Sequence, residues 1–253
     1  MPDLHIIQRW LHTSFGCAGL VAFWVAAFSA KGGRRHLAAG SFFRICAEII
    51  GWVAVATCAW QVTDPAGYQT ARLGAEGAAA EAAATRTLGL LLGFLAMVLL
   101  ATIRHGVVAA RAKSGAQQPP SLVAPALRIA AAAAGVAAFI RGIGLITGPG
   151  VALLVLPPAG LALLARQFVT ERSGALGLRW QREHITAMAA AGVVFHTAFL
   201  GIGTPLFVSG VPDGIWSAVP WLVPTAVAIP WVLLAARRYS PAGAPTPPSP
   251  PVS

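Results

Sequence analysis

Seven stretches of about 20 apolar residues alternate with short polar segments, at approximately 11–30, 39–62, 87–105, 123–146, 150–169, 184–208 and 217–236. At a rise of ~1.5 Å per residue, each is long enough to cross a ~30 Å hydrocarbon layer as a helix. The breaks are KGGRR (31–35), an Ala-rich stretch (63–86), ARAKSGAQQPP (110–120), TGPG (147–150), TERSGALGLRWQRE (170–183) and SGVPDG (209–214). This pattern predicts an all-α, polytopic membrane bundle over residues 1–238, with a Pro-rich tail at 239–253 that forms no packed structure. Alanine favours helix, so GAEGAAAEAAATR (74–86) is expected to carry the third span outward, with Glu76 and Glu81 in water. Gly-Pro at 148–149 predicts a tight hairpin between spans four and five. Pro157 and Pro158, and Pro220, Pro224 and Pro230, fall inside spans five and seven, where neighbouring helices can satisfy the freed carbonyls.

Composition supports lipid as the solvent. The chain of 253 residues is 57% hydrophobic and only 10% charged, with a mean hydropathy of +0.70. A soluble domain carries about 25% charged residues. Its formal net charge of +10 follows the loops, with no aromatic-interleaved basic face, so the implied partner is the bilayer and nucleic acid is excluded. Lys31, Arg34, Arg35, Arg104, Arg111, Lys113, Arg166, Arg172, Arg179, Arg182, Arg237 and Arg238 all fall at one face. Arg9, Arg72 and Arg86 fall at the other. Positive charge is retained in the cytoplasm, so the N-terminus is expected outside and the C-terminus inside. Cys17, Cys46 and Cys58 lack metal-site spacing and read as small hydrophobes.

Within so apolar a chain, ionisable side chains in the spans stand out, because each costs about 2.5–3.5 kcal/mol to insert unless paired. In span two, His36, Gly40, Arg44, Glu48 and Trp52 recur every four residues, and Arg44 and Glu48 are placed for an ion pair. His184, Met188, Gly192, His196 and Leu200 repeat that step in span six. His196 lies ~18 Å deeper than His184, at mid-membrane, and Glu48 lies at a similar depth. These spacings predict that spans two and six face each other through an intramembrane network of Arg44, Glu48 and His196. They also predict a second group, His36, His105 and His184, near the cytoplasmic surface.

Two of those three imidazoles are a candidate ligand site, and haem b is the cofactor such a pair would take. Gly40 and Gly192 would let a flat ligand approach the backbone. Successive histidines on span six are ~120° apart, which disfavours two ligands from that helix alone. Interfacial contact with lipid phosphates is the alternative role for these side chains. No HExxH, Walker, GxSxG or GxGxxG pattern is present, which argues against a hydrolytic enzyme.

The KGGRRH turn with Gly40 after it, His12 with Gly16, and HITAM followed by HTAF resemble a family of bacterial multi-pass membrane proteins defined by a domain of unknown function. The resemblance covers about the first third of the chain and the sixth span. It implies a plasma-membrane protein, and it marks Lys31, Gly32, His36, Gly40, His184, Met188, Thr197, Ala198 and Phe199. His196 is not a fixed part of that pattern. Three functional classes stay open: a haem-binding redox protein, a proton-linked transporter or permease, and a structural or assembly subunit.

Overall fold

The computed structural model describes residues 2–75, 78–113, 122–145, 148–174, 176–209 and 214–238. The Pro-rich tail and most of the 110–120 segment lie outside the described residues. Among the described residues, eight α-helices follow one another: α1 (Pro2–Phe28), α2 (Arg34–Thr63), α3 (Pro65–Leu73), α4 (Ala78–Ala112), α5 (Val123–Ile143), α6 (Gly148–Arg172), α7 (Leu176–Phe207) and α8 (Val219–Arg238). A short 3₁₀ turn, Gly214–Ala218, leads into α8. All but α3 are long and apolar enough to cross a membrane. The chain is built as a multi-pass membrane protein.

The helices outrun their apolar runs. The Ala-rich stretch extends α4 outward as expected, and α7 begins eight residues before the predicted span. Pro157, Pro158, Pro224 and Pro230 sit inside α6 and α8 without ending either helix. Helix α3 is an addition to the expected pattern. Asp64 caps it, its Oδ1 accepting from Gly67 N at 2.9 Å, and Pro65 takes the first helical position. Both residues suit the positions they occupy, since the cap fills an orphan donor and proline has none to lose.

Helix α4 is the axis of the bundle. In its apolar window 67% of residues are buried, against 11% for α1, and it packs on α2, α5 and α7. Glycines provide the sockets for this packing. The Phe94 ring of α4 fills the space that a Cβ would need at Gly135 and at Gly160, and Leu100 does the same at Gly51. Large apolar side chains such as Trp10, Ile129, Val136, Ile140 and Trp231 face outward, as expected where lipid covers the surface.

Spans two and six do not pair face to face as their spacing predicts. Helix α7 packs chiefly on α4 and α8. It meets α2 through rings: Phe43 with Phe195 at 5.2 Å between centroids, and His36 with His184 at 6.5 Å. Among the described residues, Arg44 and Glu48 pair within α2 and His196 bonds Trp24 of α1, so of the two polar stripes only His36 and His184 meet.

Candidate functional site

The polar residues gather at the basic face, at the ends of α4, α5, α6 and α7. The His105 side chain, from α4, is fully buried. Its Nδ1 lies 2.7 Å from Glu171 Oε1 and its Nε2 lies 3.3 Å from Glu183 Oε2. Arg128 of α5 donates through Nη2 to Glu171 Oε1 at 2.6 Å. Arg166 of α6 donates through Nη1 and Nη2 to the two oxygens of Glu183, each at 2.9 Å. Four helices are thereby tied by one imidazole, two carboxylates and two guanidiniums.

The two carboxylates differ in access. The Glu171 side chain is 26% exposed and that of Glu183 only 2%. One turn deeper, Gln167 and Thr102 form a fully buried pair, with Gln167 Nε2 donating to Thr102 Oγ1 at 3.4 Å. Beyond them the bundle axis is filled by Leu91, Phe94, Leu95, Val98 and Leu99, all buried. The polar layer at the opposite face begins again with Thr87, whose Oγ1 accepts from Arg141 Nε at 3.1 Å. Guanidiniums occupy the carboxylates of the His105 cluster. Among the described residues, no group of three or more His, Cys, Asp or Glu is arranged to hold a metal ion.

Only two of the three histidines expected to form a cytoplasmic-side site come together. His105 belongs to the ionic cluster, with both ring nitrogens engaged. His36 and His184 approach edge to face, with ring centroids 6.5 Å apart. Each ring has its Nδ1 against a main-chain carbonyl, Ala26 O at 3.0 Å and Gly106 O at 2.9 Å respectively. A carbonyl only accepts, so Nδ1 carries the hydrogen in both rings, and Nε2 of a neutral ring then presents a lone pair. The KGGRRH turn and the HITAM stretch thus converge, though 148 positions separate these histidines in the chain.

The other residues marked by the resemblance have local roles. Lys31 Nζ donates to Ala26 O and Ala27 O, capping the end of α1. Gly32 has φ +78°, a conformation that a side chain would strain. A Cβ at Gly40 would meet nothing within 4 Å, so the backbone there is open as expected. At Gly192 the expectation fails, because the Phe23 ring already fills that space. Met188 packs against Gly106, and Thr197 is buried in α7.

The network expected for Arg44, Glu48 and His196 divides in two. Arg44 Nη1 donates to Glu48 Oε1 at 3.0 Å, as the spacing predicts. His196 does not meet Glu48. Its Nε2 accepts from Trp24 Nε1 at 3.0 Å, and its Nδ1 lies 2.7 Å from Gly192 O. One donor and one acceptor are satisfied, which is the full complement of a neutral imidazole. His196 therefore needs no charged partner at mid-membrane. Spacing alone does not single out Glu171, Glu183 and Arg166 as a site, because they sit where helix meets loop and look like ordinary interfacial charges. The available signal was that Glu171 and Glu183 are the only carboxylates on a face otherwise crowded with cations.

Family models, curated proteins and solved structures offer no match to this chain.

Proposed function

We propose that this multi-pass membrane protein is a proton-linked transporter or permease, with His105, between Glu171 and Glu183, as its proton-binding element. The observation that carries this reading is a fully buried imidazole whose two nitrogens face two carboxylates of unequal exposure. Each nitrogen–oxygen contact needs a hydrogen, and ionised carboxylates supply none. A neutral ring supplies one. The second contact requires a further proton, held on the ring or on a carboxyl group.

Two guanidiniums balance the two carboxylates, so gain or loss of that proton changes the cluster by one unit of charge. On release, one nitrogen lone pair faces a carboxylate lone pair. Either the ring turns, or the helix bearing the facing carboxylate, α6 for Nδ1 and α7 for Nε2, withdraws from α4. Protonation is in this way linked to helix position, the differential interaction that a ligand-driven change requires. Glu171, the more exposed carboxylate, is the side open to water, and the apolar filling around Phe94 closes the path beyond. Under this reading the basic face lies in the cytoplasm of a bacterial plasma membrane, following the positive-inside bias.

Proteoliposomes loaded with a pH-sensitive dye test the reading, under a clamped membrane potential and with a screen of ions and small solutes. Wild-type protein is expected to acidify or alkalinise the lumen with at least one of them, and His105→Phe to fall to the protein-free rate. Wild-type vesicles that hold their pH gradient like empty ones across the screen overturn the proposal.

A second reading rests on the His36–His184 pair. Two rings with Nδ1 tied to carbonyls and Nε2 left as a lone pair match the arrangement by which proteins orient metal-ligating imidazoles. His36 and His184 would hold haem b through their Nε2 lone pairs, and that group would supply one-electron redox chemistry. Purified protein would then carry a Soret band that His36→Ala and His184→Ala each remove. A colourless, folded preparation from haem-supplemented cells refutes it.

A further inference from the structure

Helices α1 and α2 join at the basic face and leave an open track along their outer side. An open groove of about 970 Å³ lies there. Val21, Trp24, Val25 and Phe28 form its apolar wall, and Arg34 and Arg35 form its rim. A second, wholly apolar groove shares Val21 and Val25 with it and continues to Cys17 and Phe42. From Phe28 to Cys17 the track runs ~16 Å along α1, at ~1.5 Å per residue. That is about half of a ~30 Å hydrocarbon layer, the depth of one leaflet.

Among the described residues, no carboxylate pairs with Arg34 or Arg35, and the first turn of α2 contains no acidic residue. Gly33 gives the first turn of α2 no side-chain cap hydrogen bond. Two guanidiniums at the positive end of a helix dipole repel that end unless an anion sits between them. Lys31 is already committed to the carbonyls of α1. Guanidiniums hold phosphate oxygens bidentately.

We infer that this groove is a binding site for one anionic phospholipid, with its phosphate on Arg34 and Arg35 and an acyl chain along Val25 and Val21. A second copy of the chain fits less well. The only carboxylates at the basic face are Glu171 and Glu183, and both are held by arginines. Another copy would bring no free anion to the rim. Trp24, a wall of the groove, is fixed through its indole N–H to His196, so the apolar wall is formed before lipid arrives.

The test is lipid retention by the whole chain, incorporated into nanodiscs of phosphatidylcholine with a minor share of phosphatidylglycerol, then released and weighed by native mass spectrometry. Wild type is expected to keep phosphatidylglycerol several-fold above its share of the bilayer. Arg34→Gln/Arg35→Gln should return it to the bulk ratio. Arg179→Gln/Arg182→Gln, with the same charge removed elsewhere on this face, should keep the enrichment. Should the first pair unfold, Arg34→Lys/Arg35→Lys keeps the charge and should lose most of the enrichment with the bidentate geometry. Equal retention in wild type and the Gln pair overturns the inference. So does full displacement by glycerophosphoglycerol, which would assign the rim to a free phosphate ester. So does a dimer that dissociates in the Gln pair, which would assign the groove to a second copy.

Discussion

Glu183→Gln is the most direct probe of the ionic cluster. Glu183 is 2% exposed and takes two hydrogen bonds from Arg166 and a contact from His105. The amide keeps one oxygen and replaces the other with a donor, so an N–H group is forced against another N–H. Breaking a fully buried pair by removing one partner costs about 3–5 kcal/mol, whereas exposed pairs contribute about 0.2–1 kcal/mol. Arg166 is 39% exposed and can turn partly to water, which lowers the expected cost to about 2–3 kcal/mol. Glu171, at 26% exposure, should cost less when changed to Gln, about 1–2 kcal/mol. Glu48, paired at 33% exposure with an equally accessible Arg44, should cost under about 1 kcal/mol. For chains of this size, about 2–4 °C of melting temperature accompanies each kcal/mol. Thermal melts in one mild detergent should therefore rank Glu183→Gln lowest, by about 4–12 °C, then Glu171→Gln, then Glu48→Gln near wild type. A Glu183→Gln midpoint within about 1 °C of wild type refutes this account of burial; so does a Glu48→Gln loss as large as that of Glu183→Gln.

Four further substitutions separate neighbouring explanations. Gly192→Ala drives a Cβ into the Phe23 ring, an overpacking that should cost about 1–3 kcal/mol, while Gly40→Ala, with nothing within 4 Å, should melt at or above wild type; equal losses at both positions contradict the socket. Trp24→Phe removes the donor to His196 and should cost about 1 kcal/mol. Were Glu48 the partner of His196, Glu48→Gln would produce that loss and Trp24→Phe would not. Gly32→Ala forces a side chain to φ +78° and should cost about 1–2 kcal/mol in denaturant titrations, an expectation that fails if the variant matches wild type.

The helical, membrane-spanning build was legible because apolar periodicity and length report directly on lipid as the solvent. The Arg44–Glu48 pair was legible for a similarly local reason, since four residues make one turn whatever surrounds the helix. Tertiary partners were not. Depth arguments placed His196 level with Glu48, but depth says nothing about rotation around the bundle, and Trp24 on α1 supplied the hydrogen bond instead. Likewise His105 was grouped with His36 and His184 by depth alone. The structure separates them because His105 turns toward α6 and α7, while His36 and His184 meet between α2 and α7. Helix α3 escaped notice for lack of apolar periodicity, although the Asp64–Pro65 start carried its cap in plain view.

What joins the two imidazole sites is a short ladder between α4 and α7. His105 meets Glu183, and the next residue of each helix repeats the contact, with His184 Nδ1 donating to Gly106 O at 2.9 Å. Neighbouring residues on a helix point about 100° apart. Glu183 therefore turns toward Arg166 of α6, while His184 turns toward His36 of α2. Any displacement of α7 along α4 that draws Glu183 from His105 also strains the bond that holds the His184 ring in place. The ionic cluster and the imidazole pair share one rigid segment of α7, so they are mechanically one unit, even though the side chains that form them belong to five different helices.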